Sequence, residues 1–216
     1  MANNSGIYCQ VIKRLFDILI SLCVILVFWW LFLVVAVLVR IKLGSPVIYK
    51  TKRAGRIDKK TGEERVFNLY KFRSMSNATN ENGNLLPDTQ RLTPFGRKIR
   101  ALSIDEIPEF FNILKGDMSL IGPRPLPVSY IDYYTDEERH RHDVRPGLSG
   151  WAQVNGRNAI SWDKKFEYDI EYVKNISLVM DLSIIFATVK KVLIKEGIGQ
   201  GEQCPENLYD CRDKVR

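Results

Sequence analysis

Residues 18–39 read ILISLCVILVFWWLFLVVAVLV, 22 positions without a charge in which Ser21 alone falls outside the apolar set. Wound as a helix, the run is about 33 Å long, close to the ~30 Å hydrocarbon core of a bilayer. It is apolar on every face, Phe28, Trp29, Trp30 and Phe32 included, whereas a soluble core helix buries one stripe. It is too long for a signal-peptide h-region, and Arg40-Ile41-Lys42 follows it in place of a small-residue cleavage site. The segment is therefore expected to persist as an anchor. The chain divides into an N-terminal segment (1–14), a membrane helix (15–40), a cytoplasmic domain (41–199) and a polar tail (200–216).

The flanks set topology. Lys13 and Arg14 precede the run, and residues 40–75 hold eleven Lys/Arg against three Asp/Glu. The basic excess of the whole chain, +7, is concentrated there. Basic residues prefer the cytoplasmic side and attract anionic head groups. A simple span would put the weaker flank outside, while a re-entrant helix would keep both inside; both place the C-terminal part in the cytoplasm. The 216 residues suffice for one globular domain with its own core. With 45% hydrophobic residues, the composition excludes a disordered chain, a collagen and a disulfide miniprotein. Cys9, Cys23, Cys204 and Cys211 form no framework and are expected to be reduced.

Beyond the anchor the pattern is α+β. Residues 46–51 and 65–72 read as two strands joined through Thr61-Gly62, a β-hairpin. Residues 74–94, rich in Ser, Asn, Thr and Gly, read as a loop. Ile107, Phe110, Phe111 and Leu114 give residues 105–115 a helical period, and Gly116 ends it. Residues 128–142 look like a polar surface helix, 145–158 like a Gly-rich loop, and 161–176 like a helix. Residues 182–195 form a basic amphipathic helix suited either to a membrane surface or to the protein's own core. His140 and His142 stand among charges and are expected to be solvated.

The chemistry converges on few residues. No P-loop is present, and Gly197, Gly199 and Gly201 follow a helix into the tail, which suits chain termination better than a dinucleotide loop. No nucleic-acid fold signature accompanies the basic charge, so no nucleic-acid partner is expected. Asp105-Glu106 point about 100° apart on a helix and are not a facing acid–base pair. Ser103 and Glu106 fit a capping box, and Pro108 fits the first turn. An exposed Asp105 at such a boundary, near free N–H groups, also suits a nucleophile that receives a phosphoryl group. Flanking prolines hold Arg124 extended, preorganised to clamp phosphate oxygens, or simply part of a rigid loop. Lys71 and Arg73 end a strand and are similarly ambiguous. Arg145, Gly147, Trp151, Gln153, Asn155 and Arg157 combine backbone freedom, an aromatic face and polar groups suited to a nucleotide or sugar, or to turns alone.

The motifs KRLFD (13–17), YKFRSM (70–75), LSIDEIP (102–108), NILKGDMSLIGPRP (112–125) and RPGLSGWAQVNGR (145–157) occur in that order. In these the chain resembles the bacterial sugar transferases, small monotopic phosphoglycosyl transferases that start glycan assembly on undecaprenyl phosphate. NAISW (158–162), KKFE (164–167) and YVKNIS (172–177) are similar to the branch that transfers diacetylbacillosamine phosphate, although capsule and exopolysaccharide enzymes share much of this. The resemblance implies that a UDP-sugar gives its sugar 1-phosphate to Asp105, releasing UMP, and that undecaprenyl phosphate then takes it. It implies Glu106 as base or positioning group, Mg²⁺ between Asp105 and the diphosphate, and phosphate contacts from Arg124, Lys71 and Arg73. It also implies a re-entrant helix broken at Ser-Pro. Trp29-Trp30 occupy those positions here, so an unbroken spanning helix stays open. Two other classes remain: a non-catalytic membrane adaptor binding anionic lipid, and a glycosyltransferase releasing UDP.

Overall fold

A computed structural model describes residues 8–156, 160–194 and 207–215. The apolar run lies within one long helix, α1 (Lys13–Leu43), which extends past residues 15–40 at both ends. It is long and apolar enough to cross a membrane. Its regularity fails at one place, Phe28, where φ is −106° and ψ is 17°. The break falls just before Trp29-Trp30 and divides the helix into two arms without a proline.

Both arms rest on the rest of the chain. Arg14 donates from Nη1 and Nη2 to the carbonyls of Ile113 and Leu114 (2.6 and 2.9 Å). These carbonyls lie in the last turn of α4 (Glu109–Lys115), and that of Ile113 also accepts the N–H of the Gly116 cap. Asp17 is buried and accepts from Ser119 Oγ and the Leu120 N–H, both at 2.9 Å. In the second arm Val35 and Val39 pack on Phe72 and Ile99, and the Phe32 ring meets Phe111 edge-on at 5.6 Å. The remaining surface of α1, including Leu19, Leu26, Trp29 and Ile41, is exposed.

The expected hairpin is present. β1 (Ile48–Ile57) pairs antiparallel with β2 (Glu64–Phe72) in a register that sets Tyr49 opposite Lys71. β1 continues beyond residue 51 because a bulge between Ala54 and Ile57 lets the strand bend and keep its partner. The expected loop at 74–94 contains α2 (Asp88–Arg91), and α3 (Pro94–Ala101) follows, started by a Thr93 cap on the Gly96 N–H and by proline at N1. Residues 104–106 form a 3₁₀ turn, so α4 starts at Glu109, later than the period suggested. The capping box is not formed: Ser103 is left-handed (φ 54°) and its side chain caps nothing. Gly116, at φ 90°, closes α4 as expected.

Residues 128–142 are not one helix. A 3₁₀ stretch (Val128–Tyr133) ends before Thr135, whose capping box with Glu138 starts α5 (Asp136–Arg139), and a second 3₁₀ turn (His140–Asp143) follows. The glycine-rich stretch is ordered too. β3 (Ser119–Ile121) pairs parallel with β4 (Gly147–Ser149), and α6 (Trp151–Asn155) follows. A Cβ on Gly147 would lie 2.1 Å from the Gly122 nitrogen, so the glycine serves strand contact. α7 (Trp162–Lys174) matches its expected span, and α8 (Leu178–Ile194) begins before residue 182. α8 serves both suggested roles in part. Ile184 is fully buried with Ile121, Tyr172 and Val173, while Val179, Phe186 and Val189 are exposed on the outside. Leu208 of α9 (Leu208–Cys211) is buried against Tyr130, Tyr134 and Phe166. His142 is not solvated: it is 3% exposed, its Nδ1 lies 2.9 Å from the Gly55 carbonyl, and burial pushes its pKa down to about 3. His140 is exposed beside Asp143. Cys204 and the glycines at 197, 199 and 201 lie outside the described residues.

Candidate active site

Asparagine 112 fixes the site's frame. It is fully buried on α4, accepts the Tyr70 N–H through Oδ1 (3.0 Å) and donates through Nδ2 to the Asn68 carbonyl (2.8 Å). These bonds lock α4 to the free edge of β2, one residue from Lys71. The 3₁₀ turn ahead of α4 then presents Asp105 and Glu106 beside the Lys71 ammonium. The loop after β3 brings Arg124 to the same carboxylate.

Glu106 Oε1 is the meeting point. Lys71 Nζ lies 2.7 Å from it and Arg124 Nη2 3.1 Å. The two cations hold the Glu106 pKa at about 2, against the opposing effect of burial, so it stays ionised. Lys71 also lies 3.1 Å from Glu109, a buried carboxyl that burial pushes up to about 7. Asp105 differs from both. It is 6% exposed, not exposed as its boundary position suggested, and its carboxylate has no hydrogen-bond or ion-pair partner among the described residues. Burial raises its pKa, while Lys71 pulls it down. A carboxylate that is desolvated, unbonded and next to two cations is a competent nucleophile toward an anionic phosphorus centre.

Lys71, Asp105, Glu106 and Arg124 line one cleft of about 1320 Å³. A buried pair stiffens its far wall. Arg141 donates to Asp169 Oδ2 from Nε (3.0 Å) and Nη2 (2.7 Å), and Nη2 also donates to the Arg124 carbonyl (2.8 Å). The backbone that carries Arg124 is thus tied to α7.

The other anticipated positions separate. Arg73 is buried in the cleft wall, and its Nη1 donates to the Ser45 carbonyl at 2.7 Å. Gln153 also lines the cleft; its Nε2 donates to the Leu148 carbonyl while Oε1 is buried without a partner among the described residues. Arg145 turns away, its Nε donating to the Gly116 carbonyl. Trp151 Nε1 donates to Glu171, and Asn155 Nδ2 to the Trp151 carbonyl. Gly147 is committed to the β3–β4 pairing, and Arg157 lies outside the described residues.

Sequence reasoning missed Glu109, Arg141 and Asp169. Asp169 carried a signal, since it falls on the same helical face as Phe166, Ile170 and Val173, where a charge requires a buried partner. Glu109 shares the buried face of α4 with Asn112 and Ile113 in the same way.

No group of three or more His, Cys, Asp or Glu able to hold a metal is found among the described residues. Mg²⁺ commonly takes only one or two carboxylates and completes its shell with phosphate oxygens and water. The unbonded Asp105 carboxylate suits that mode, an ion shared with a bound diphosphate.

The chain is 50% identical over 191 residues to the uncharacterized sugar transferase EpsL of Bacillus subtilis, covering 88% of this chain and 92% of that protein. It is 42% identical to a UDP-N-acetylgalactosamine-undecaprenyl-phosphate N-acetylgalactosaminephosphotransferase of Aeromonas hydrophila, covering 84% of this chain and 44% of that one. With a UDP-glucose:undecaprenyl-phosphate glucose-1-phosphate transferase of Klebsiella pneumoniae it shares 36% identity, covering 87% of this chain and 41% of that one. The chain thus spans under half the length of these two named transferases. Residues 8–195 match the bacterial sugar transferase family, and the chain belongs to that family.

Proposed function

We propose that the chain is a membrane-anchored phosphoglycosyl transferase that moves a sugar 1-phosphate from a UDP-sugar to undecaprenyl phosphate, as the first step of glycoconjugate assembly. The observation that carries this reading is the unbonded, buried Asp105 carboxylate beside Lys71 and Arg124 in an open cleft. The named relatives act on undecaprenyl phosphate, with N-acetylgalactosamine or glucose in their names. The higher identity to the former favours an acetamido sugar as donor.

The donor's diphosphate enters between Lys71 and Arg124. An Asp105 carboxylate oxygen attacks the phosphorus that bears the sugar; the bond to the bridging oxygen breaks and UMP leaves with that electron pair. The product is a phospho-aspartate carrying the sugar. An oxygen of the lipid phosphate then attacks the same phosphorus, the Asp105 O–P bond breaks, and a lipid-linked diphosphosugar forms with the carboxylate restored. Two displacements at phosphorus replace one that would bring two anions together directly. Glu106, held at about 2, is a poor base and acts by keeping Lys71 and Arg124 beside the nucleophile. Mg²⁺ held by Asp105 and the diphosphate would neutralise charge on the phosphates.

Two observations favour a helix that dips into the cytoplasmic leaflet and returns. Both arms of α1 pack on the same domain, through Arg14 and Asp17 at one end and Val35 and Val39 at the other. A straight 31-residue helix would separate its ends by about 46 Å, and the break at Phe28 divides it near its middle. The exposed apolar flank of α8 then faces the same leaflet. The test is the nucleotide product. With polyprenyl phosphate and a panel of UDP-sugars, the protein should release UMP; release of UDP, or of no nucleotide from any donor, overturns the reading.

A further inference from the structure

Arg73 is a buried cation whose charge the described fold leaves unanswered. Its residue is 4% exposed, and Nη1 is spent on the Ser45 carbonyl. Nε and Nη2 are buried and have no partner among the described residues. No carboxylate pairs with it there; burial and the neighbouring Arg40 both push its pKa below the usual arginine range. An uncompensated buried guanidinium is strongly unfavourable, and it is relieved when an anion supplies both charge and acceptor oxygens.

Its place in the fold says which anion. Arg73 lines the cleft with Pro46 and Ser74. It follows Lys71 by two residues, just past the end of β2, where its N–H continues the ladder to the Val47 carbonyl. Lys71 marks the nucleophile. Ser45 and Gly44 mark the point where the chain leaves α1, and a Cβ on Gly44 would lie 3.7 Å from Arg73 Nη2. Arg73 therefore stands where the chain leaves the apolar helix, in the wall of the same cleft that Asp105 lines.

We propose that Arg73 is the subsite for the phosphate monoester of the polyprenyl phosphate acceptor, separate from the Lys71–Arg124 pair that takes the donor diphosphate. The proposal rests on the phosphoglycosyl-transfer reading above. A soluble nucleotide sugar has no need of the α1 end of the cleft. A phosphate tethered to an apolar chain does, because its chain must stay along the apolar surface of α1 while the phosphate reaches Asp105.

The test uses the full chain in lipid nanodiscs, with Arg73→Gln and Arg73→Lys. The KM for polyprenyl phosphate and the KM for the UDP-sugar are measured separately, and binding of three probes is followed: polyprenyl phosphate, the matching polyprenol and inorganic phosphate. Arg73→Gln should raise the KM for polyprenyl phosphate about tenfold or more, the loss expected for a charged hydrogen bond, with a several-fold smaller change for the donor. Arg73→Lys should restore part of it. Wild type should prefer polyprenyl phosphate over both polyprenol and inorganic phosphate. Equal rises in both KM values would make Arg73 structural, and an unmoved acceptor KM would remove it from the subsite; either overturns the proposal. Inorganic phosphate binding as tightly as polyprenyl phosphate does the same. If Arg73→Gln fails to fold, the Arg73→Lys KM ratio and the wild-type probes decide. Absence of UMP release by wild type would instead sink the underlying reaction, so the two failures are distinguishable.

Discussion

Replacing Asp169 by asparagine probes how the cleft holds Arg124. Asp169 and Arg141 have side chains only 5% and 2% exposed, and their closest N···O distance is 2.7 Å. Breaking such a buried pair strands the guanidinium and costs about 3–5 kcal/mol. For a chain of this size, 1 kcal/mol shifts Tm by roughly 2–4 °C, so Asp169→Asn should melt about 6–20 °C below wild type in detergent. The double variant Arg141→Met/Asp169→Leu removes both charges at similar volume and should return to within about 1 kcal/mol of wild type. Turnover should not return with it. The double variant deletes the Arg141 Nη2 bond to the Arg124 carbonyl, so Arg124 is no longer fixed against Glu106 even though the charges are balanced. A misplaced clamp of this kind costs on the order of 10²-fold. Thermal melts and UMP-release kinetics on the same preparations separate the effects. A double variant with both wild-type stability and wild-type turnover would refute the idea that this pair positions the phosphate clamp.

Other outcomes follow from the same geometry. Glu106→Gln removes the charge that gathers Lys71 and Arg124, and UMP-release assays should find kcat lowered by roughly 10²-fold while the fold survives. Burial raises the Asp105 pKa, so the acid limb of the pH–rate profile for UMP release should lie above the ordinary aspartate value of 3.8; a limb at or below that value contradicts the burial. Burial holds His142 neutral in the fold, with a pKa of about 3 against the ordinary histidine value of 6.5. The unfolded chain thus binds more protons between those values, and stability is full above pH 6.5 and lost as pH falls toward 3. Between pH 7 and pH 5 wild type should lose about 2 kcal/mol through this group, a loss absent in His142→Gln. Protease-accessible tags fused before residue 1 and after residue 216 should both be cleaved from the cytoplasmic side of sealed vesicles; cleavage from opposite sides would make α1 a span.

The amino-acid pattern revealed what is local and repetitive. Twenty-two uncharged residues announced α1, alternation and a Thr-Gly turn announced the hairpin, and a 3.6-residue period announced α7 and α8. Two kinds of feature escaped it. The first is pairing whose members are distant in the chain. β3 and β4 are three residues each, and glycine at 147 reads as loop until its contact with Gly122 is known. The second is local choice between near-equal conformations. Ser103 and Glu106 match a capping box, but the chain instead turns left-handed at Ser103, and the acidic pair is drawn inward to Lys71 and Arg124. Burial then reversed two exposures, those of Asp105 and His142, because the elements covering them come from elsewhere in the chain. The helix break at Phe28 had no proline to signal it. Of the candidate site, Asp105, Glu106, Lys71 and Arg124 could be singled out from the sequence, and they line one cleft. Arg145, Trp151 and Asn155 share residue types with a sugar site but bond within their own neighbourhood.

The central claim is that the Asp105 carboxylate becomes covalently bonded to phosphorus. Intact-mass analysis of protein incubated with the UDP-sugar and no lipid acceptor, quenched in acid, tests it most directly. The account predicts a mass increase equal to one sugar phosphate, mapped to the peptide that contains Asp105, absent from Asp105→Asn and discharged on adding polyprenyl phosphate. Product accumulating with no such adduct at any quench time, or an adduct that persists in Asp105→Asn, would contradict it.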